Sequence, residues 1–195
     1  GTPGSAGSFD AAISGNGRFV SFTSDAKNLG GPFNPTYRDI FVKDVQTGAV
    51  DRISASSGGE SNGHPGNGVL SFDGCIAAFR SAAFNLVTPD SSASSPKYYA
   101  RDRCGDSGTS VLSWVFVSGT DTKVQTEPQG SISSNGCRIA FIQAGQVSAQ
   151  VRDRCTGQTT RVDLSSAGVA GPGGIRDISI SGSGRYITFV TTADS

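Results

Sequence analysis

Short apolar runs follow tight-turn residues at four places along the chain, and this pattern predicts strands joined by hairpins. Each run begins after a serine and a glycine three positions apart, and it is rich in β-branched and aromatic residues. Asn-Gly or Asp-Gly before such a run, as in the first three segments, is a strong short-range signal for a β-hairpin. The four segments are residues 13–22, 70–79, 132–141 and 180–189, with turn glycines at Gly17, Gly74, Gly136 and Gly184. The sequence therefore predicts a repeated strand–turn–strand unit.

A second motif follows the first three hairpins and completes each unit. It ends in a basic residue and an aspartate, and a further turn and strand-like run come after it. The runs are apolar on both sides of the pleat, which is typical of strands that are covered on both faces. No segment has a sustained helical period. Each unit is therefore predicted to be a four-stranded antiparallel sheet that stacks against its neighbours.

These motifs resemble the repeat of the TolB-type, WD-repeat-like β-propeller family. The similar elements are Ser-x-Asp/Asn-Gly-Arg-x-Val/Ile-x-Phe, then Phe/Tyr-Val-Lys/Arg-Asp, then Thr-Gly, with Asn-Leu pairs at 28–29 and 85–86. The resemblance covers nearly the whole chain. It implies an all-β fold, a β-propeller built of four-stranded antiparallel blades. Such propellers include enzymes, sugar binders and interaction platforms, so the resemblance implies no single function.

The repeat spacing predicts about three and a half blades in one partial propeller domain, whereas a complete propeller has about four to eight. The expected blades lie at about residues 8–58, 66–117, 128–165 and 176–195, and the last is a half blade. An open arc of blades would present unpaired strand edges. We therefore expect that further sequence, a second chain or a self-completing oligomer supplies the missing blades.

The charge balance narrows the choice of partners. The 195 residues include 16 Lys and Arg and 16 Asp and Glu, so no net charge is present. A nucleic-acid partner is not expected, because phosphate binding depends on a basic surface. No apolar run approaches the roughly 18 residues of a membrane span. The chain begins at Gly1 and contains no Met, so we expect that a signal peptide has been removed.

The four cysteines occupy repeated positions. Cys75 and Cys137 follow the turn glycines of the second and third units, and Cys104 and Cys155 follow the basic-Asp motif of the same units. Antiparallel pairing of the second and third strands would bring each pair together. The repeat therefore favours the disulfides Cys75–Cys104 and Cys137–Cys155, which imply an extracellular or periplasmic location. Their spacings match no zinc site.

The same alignment predicts a strand register. If Cys137 and Cys155 lie opposite each other, Phe141 faces Val151 in the third unit. In the first unit the cysteine positions hold Arg18 and Gln46, a polar pair that could meet across the same two strands.

A protease-like motif fits the repeat better than it fits an active site. The Gly-Asp-Ser-Gly segment around Ser107 resembles the nucleophile motif of chymotrypsin-like proteases, and His64, Asp102 and Ser107 follow the order of that triad. Asp102, however, is equivalent to Asp44 and Asp153 in the repeat. We expect these three carboxylates to bind turn amides or neighbouring Lys and Arg side chains. No catalytic residue is therefore predicted.

No cofactor and no metal site are predicted either. Related repeats carry Asp- and Asn-rich loops, which makes calcium the one ion to consider. Residues 30–39 and 87–98 lack the D-x-D spacing of a calcium loop, so the signal for calcium is weak.

The strand order of a meander divides the connections between two faces. The first-to-second and third-to-fourth turns share one face, whereas the second-to-third loops and the links between blades share the other. The long irregular stretches fall on the second face, at residues 24–38, 54–68, 81–97, 118–129 and 165–174. Rigid sheets with one face of variable loops are typical of a binding surface. The candidate ligand-face residues are Tyr37, Arg38, Asn62, His64, Tyr98 and Trp114.

Two functions are open from the sequence. The first is a secreted or cell-surface propeller that acts as a binding and assembly module through its long-loop face. Its partners would be another polypeptide, further blades or a carbohydrate. The second is part of a secreted propeller enzyme of the polysaccharide lyase or hydrolase type. An enzyme would need His, Tyr, Arg and carboxylate groups that converge, and the single histidine, His64, favours binding. Trp114 fits either a core anchor or a sugar-stacking platform.

Overall fold

The computed structural model describes residues 3–30, 36–55, 61–87, 97–105, 111–114, 130–143, 148–171 and 173–192. Within these ranges the chain consists of β-strands and their connections, and no helix that could cross a membrane is present there. The strands form three four-stranded sheets and one two-stranded sheet. Each sheet is an antiparallel meander in which strands that follow one another in sequence are neighbours. The all-β, four-stranded antiparallel architecture predicted from the sequence is confirmed for these residues.

We name the sheets blades 1 to 4 in chain order. Blade 1 contains β1 (Ser8–Ile13), β2 (Phe19–Ser24), β3 (Asp39–Asp44) and β4 (Val50–Arg52). Blade 2 contains β5 (Pro65–Leu70), β6 (Ile76–Ser81), β7 (Lys97–Asp102) and β8 (Val111–Trp114). Blade 3 contains β9 (Ser131–Ile132), β10 (Arg138–Gln143), β11 (Ser148–Asp153) and β12 (Gln158–Arg161). Blade 4 contains β13 (Gly174–Ile180) and β14 (Ile187–Thr192).

One hydrogen-bonded turn starts the first hairpin of every blade. In blade 1 the Ser14 hydroxyl donates to Asn16 Oδ1 at 2.7 Å and accepts the Phe19 amide at 2.9 Å. Gly17 closes the turn with φ +73°, a left-handed conformation that glycine adopts without a Cβ penalty. The same bonds recur around Ser71 and Ser133. The Ser-x-Asp/Asn-Gly motif therefore satisfies the turn amides through its own side chains.

Three apolar clusters fill the spaces between consecutive blades. Successive residues of a strand point to opposite faces of its sheet. In β6, for example, Ala77 packs toward Ile40 of blade 1, and Ala78 packs toward Phe141 of blade 3. The third cluster joins blade 3 to Ile178 and its neighbours in blade 4. The continuous apolar runs of the sequence thus reflect burial on both faces.

Both predicted disulfides are present. Cys75–Cys104 has a Cα–Cα distance of 5.1 Å, and Cys137–Cys155 has one of 5.4 Å. No free cysteine is found among the described residues. The pairing inferred from the repeat is therefore confirmed.

The predicted strand register is wrong by one residue. Phe141 pairs with Gln150, and Val151 pairs with Ala140. The reason is that the chain leaves the ladder before Cys155, because Asp153 Oδ1 accepts the Cys155 amide at 3.0 Å and begins a turn. The second cysteine of each pair therefore lies in the turn and not in the strand ladder.

The repeated aspartates stabilise these turns, as predicted. Asp44 Oδ1 accepts the Gln46 amide at 2.9 Å, and Asp102 Oδ1 accepts the Cys104 amide at 3.0 Å. Arg18 does not pair with the Gln46 side chain. Its guanidinium binds Asp44 Oδ2 at 2.7 Å instead, because the carboxylate is already fixed in front of it by the turn amides.

Candidate functional site

Two aromatic side chains meet where blades 1 and 2 adjoin on the long-loop face. Tyr37 lies just before β3, and His64 lies just before β5. Their rings contact edge to face, with centroids 5.0 Å apart and planes at 78°. His64 is exposed, and its backbone carbonyl accepts the Ala82 amide at 3.1 Å. The meander thus brings together residues that are 27 positions apart in the sequence.

Arg38 follows Tyr37 in the sequence and makes separate contacts on blade 1. The Arg38 guanidinium carbon is 5.3 Å from the centre of the Phe9 ring, and Arg38 Nε is 3.5 Å from Asp25 Oδ1. The Arg38 side chain remains 37% exposed. Phe9 is 47% exposed. Arg38, Phe9, Tyr37 and His64 are called the loop-face cluster below.

The loops that carry this cluster are fixed by a repeated asparagine. Asn85 Oδ1 accepts the Asn62 amide at 3.1 Å, and Asn62 Oδ1 accepts the Phe84 amide at 3.0 Å. Blade 1 contains the equivalent bonds, since Asn28 Oδ1 accepts the Ser5 amide at 2.7 Å. Asn62 therefore holds a loop, and its predicted contact with a ligand stays a prediction. The Asn-Leu pairs of the sequence were the signal for this arrangement.

An arginine of blade 2 holds the start of the link between blades 1 and 2. Arg101 Nη1 donates to the carbonyls of Ile53 and Ala55, both at 3.0 Å. Burial lowers the pKa of the Arg101 guanidinium. The chain that leads from β4 toward His64 is thus anchored where it leaves blade 1.

Tyr98 does not lie on the loop face, and its prediction as a ligand-face residue is corrected. It is the second residue of β7 and only 7% exposed. Its ring packs against Phe141 of blade 3, with centroids 5.1 Å apart. The reason is that the strand begins at Lys97, so the alternation of side chains directs Tyr98 into the space between blades.

Trp114 is the last residue of β8, and its backbone pairs with Tyr99. It lies at the loop-face end of the fourth strand of blade 2. Ser107 and the long stretch 118–129 lie outside the described residues. Across the ranges that are described, no group of three or more His, Cys, Asp or Glu side chains is arranged to hold a metal ion.

The opposite face has a different electrostatic character, because its carboxylates are already satisfied. The Arg18 guanidinium, together with the Gln46 and Thr47 amides, holds the pKa of Asp44 well below its usual range. In blade 3 the Thr156 amide and then the Arg138 side chain lower the pKa of Asp153. These carboxylates stabilise turns through backbone amides and arginine side chains.

Comparisons with known proteins address the fold. No protein-family model matches the sequence, and no curated protein matches it. Solved structures do match. TolB from Acinetobacter baumannii aligns with a TM-score of 0.55 at 16% identity, over 97% of this chain and 39% of that chain. The chain has a β-propeller fold.

Two further structures agree with this result. The putative TolB from Agrobacterium tumefaciens aligns with a TM-score of 0.56 at 14% identity, over 96% of this chain and 55% of that chain. Hydrazine synthase from Kuenenia stuttgartiensis gives a TM-score of 0.52 at 15% identity, over 95% of this chain and 58% of that chain. Identities this low show the fold alone. The resemblance to TolB-type propellers that the motifs predicted is therefore supported at the level of the fold, and the chain spans roughly two to three fifths of the length of these structures.

Proposed function

We propose that this propeller is a binding module that recognises its ligand through the loop-face cluster. The observation that carries the proposal is the meeting of Tyr37 and His64 across two blades. Arg38, the residue after Tyr37, and Phe9 add a second partly exposed contact on blade 1. Aromatic rings offer a large contact area at a low entropic cost, and arginine adds directed hydrogen bonds. This combination suits a polypeptide segment or a carbohydrate.

The rigidity of the surrounding loops supports the proposal. Asn62 and Asn85 fix the loops on one side of the cluster, and Asn28 fixes the loop on the other. Pre-organised side chains lose less conformational entropy when a ligand binds. The cluster is thus mounted on loops that are already ordered.

We further propose that the propeller is secreted or exposed at the cell surface, and that additional blades complete it. The two disulfides support the location, since such bonds persist in oxidising compartments. The incomplete span of the chain relative to the similar structures supports the need for further blades.

The test is a screen of the intact chain against arrayed oligosaccharides and peptides, followed by affinity measurements on any ligand found. Arg38→Ala and His64→Ala should each weaken binding at least about tenfold, as is typical of anchor residues in an interface. Gln158→Ala, an exposed position on β12, is the matched control and should leave the affinity unchanged. A ligand that binds equally well to both loop-face variants would contradict the proposal.

A further inference from the structure

Three side chains form a row on the face of blade 1 that adjoins blade 2. Thr23 pairs with Phe9 on β1 and with Ile40 on β3. Residues that lie directly opposite each other in an antiparallel sheet share a face, so the three side chains point to the same side. That side faces blade 2, because Ile40 belongs to the apolar cluster that joins the two blades. The row therefore lies at a junction between two blades of this chain.

Arg38 and Asp25 lie at the loop-face end of this row. Asp25 follows Thr23 by two positions, and Arg38 precedes Ile40 by two positions. The Arg38 guanidinium carbon is 5.3 Å from the centre of the Phe9 ring, and Arg38 Nε is 3.5 Å from Asp25 Oδ1. An arginine and a carboxylate are thus placed next to the Thr23 hydroxyl.

Two polar atoms at this place are buried without a hydrogen bond. Neither Thr23 Oγ1 nor Arg38 Nε has a hydrogen-bond partner among the described residues, and Thr23 is only 1% exposed. Ser21 differs in this respect, since its hydroxyl, two positions earlier in the same strand, donates to the Gly68 carbonyl of blade 2 at 2.9 Å. A buried hydroxyl without a partner destabilises a folded protein. The Thr23 hydroxyl therefore points to a bound group that supplies the missing partner.

The wall of blade 2 that faces Thr23 consists of backbone. The bond from Ser21 to Gly68 aligns the two blades, and β2 and β5 run in opposite directions because each blade is a meander. Gly66 therefore lies opposite Thr23, within the irregular part of the β5–β6 pairing. His64 is two positions before Gly66, at the loop-face end of the same junction. The place is thus continuous with the ring contact between His64 and Tyr37. We call Phe9, Thr23, Asp25 and Arg38 the Thr23 site.

We propose that the Thr23 site binds the hydroxyl groups of a neutral sugar residue. The inference rests on the proposed function and names the class of ligand for the loop-face cluster. A sugar hydroxyl both donates and accepts, so neighbouring hydroxyls accept from Arg38 and donate to Asp25 while another pairs with Thr23. The apolar face of the sugar packs on the partly exposed aromatic side chains of the cluster.

Other classes of ligand fit the Thr23 site less well. A carboxylate or phosphate group would lie against the Asp25 carboxylate, and like charges repel. An apolar peptide side chain would leave both buried polar atoms without partners. A neutral sugar avoids both costs.

Arg38 covers the site in the free protein and has to turn outward before a hydroxyl reaches Thr23. Its side chain is 37% exposed, and that of Asp25 is 43% exposed. An ion pair exposed to this extent contributes little stability, and an exposed contact between a guanidinium and a ring contributes only slightly more. The movement therefore costs little, and it allows Arg38 to donate to the ligand.

The test is isothermal titration calorimetry of the intact, disulfide-bonded chain with short oligosaccharides of glucose, mannose, galactose and xylose. A short oligosaccharide of galacturonic acid and a peptide library serve as the charged and the polypeptide alternatives. A neutral sugar should bind, and Thr23→Val should weaken its binding about fivefold to thirtyfold, the usual effect of one lost hydrogen bond in a buried site. Thr23→Ser keeps the hydroxyl and should retain most of the affinity. Thr160→Val makes the same change at an exposed position of β12 and should leave the affinity unchanged.

Thermal unfolding separates a lost contact from a damaged fold. Thr23→Val keeps the shape of the side chain and removes a hydroxyl without a partner, so its unfolding midpoint should stay the same or rise. Equal affinity of Thr23→Val and the unmodified chain would overturn the inference and would indicate a structural water only. Binding of peptides or of the acidic sugar in preference to every neutral sugar would overturn it as well. Weaker binding by His64→Ala together with full binding by Thr23→Val would keep the proposed function and overturn only the Thr23 site.

Discussion

In blades 1 and 2 the start of the second strand is linked to the end of the third strand by different chemistry. In blade 2 the position after the turn glycine is joined covalently to the following turn by Cys75–Cys104. In blade 1 the equivalent Arg18 forms an ion pair with Asp44, and its side chain is 40% exposed. Both blades nevertheless have the same hairpin and the same aspartate-capped turn. The comparison shows that the hairpin and turn geometry does not require the crosslink, whose stabilising effect is attributed in the chain-entropy model to restriction of the unfolded chain.

The two blades also differ in how their turn glycines are covered. Gly17 and Gly74 have the same φ of +73°. Only Gly74 is covered by a side chain of the preceding blade, Phe19, which also has the guanidinium carbons of Arg18 and Arg103 at 5.0 and 4.9 Å from its ring centre. Blade 2 is therefore held by its neighbours on both faces, whereas blade 1 has neighbours on one face among the described residues.

Among the changes considered, removal of a disulfide should lower the free energy of unfolding the most. Cys75→Ser combined with Cys104→Ser should lower the free energy of unfolding by about 2–5 kcal/mol, the usual loss for a native disulfide. The Cys137–Cys155 pair closes 18 positions instead of 29, so its removal should cost somewhat less. Denaturant unfolding of both double variants measures the losses. Equal stability of the variants and the unmodified chain would show that the turns alone hold these strands.

Substitution of the turn glycines should separate backbone strain from packing. Gly17→Ala and Gly74→Ala should both lose about 1–2 kcal/mol, because alanine is strained in the left-handed region. Gly74→Ala should lose a further ~1–3 kcal/mol, since its methyl group overlaps Phe19. Thermal unfolding of the pair gives the difference. Equal losses would mean that Phe19 moves aside freely.

A new disulfide in blade 1 should raise the stability of the chain, by less than the glycine substitutions lower it. Arg18→Cys with Gln46→Cys places cysteines at the positions that they occupy in blades 2 and 3. We expect the pair to oxidise and to raise the midpoint of thermal unfolding, although engineered disulfides often stabilise less than native ones. Peptide mapping without reductant identifies the bond. Two free thiols in the folded protein would show that blade 1 differs from the other blades in its backbone.

A change of pH should have the smallest effect on stability. It should distinguish the Arg18–Asp44 ion pair of blade 1 from the disulfide of blade 2. The pKa of Asp44 is lowered in the folded state, so its contribution to stability is complete above the unfolded pKa of about 3.9 and is lost as the pH falls further. Asp44→Asn should therefore be less stable than the unmodified chain at neutral pH. The difference should shrink below about pH 4, whereas the disulfide contribution should persist. Denaturant unfolding of Asp44→Asn and of the unmodified chain, from neutral to strongly acidic pH, measures this difference in the free energy of unfolding.

The hairpins and the disulfides could be predicted because they depend on local geometry. The hydroxyl of Ser14 and the side chain of Asn16 satisfy their own turn, so residues close in sequence are sufficient to define it. The cysteine pairs follow from the same repeat, since a meander places the ends of adjacent strands together. The loop-face positions of Tyr37 and His64 also followed from strand order, although their ring contact did not.

The details that sequence analysis missed depend on atoms far away along the chain. Tyr98 looked like the end of a loop, but Phe141 of blade 3 makes its burial favourable. The loop-fixing role of Asn62 was also missed, because its bonds to Asn85 and Phe84 join residues 22 and 23 positions apart. The register differs by one residue because the Asp153 carboxylate captures the Cys155 amide in preference to a longer ladder.

The sequence by itself determined the repeating unit, because alternating burial and turn chemistry are properties of short segments. It determined the disulfide pairing for the same reason. Only the tertiary structure decided which side chains lie between blades, which asparagines fix loops and which groups remain exposed on the loop face. These outcomes depend on the packing of one blade against the next, and each junction combines residues about 50 to 60 positions apart.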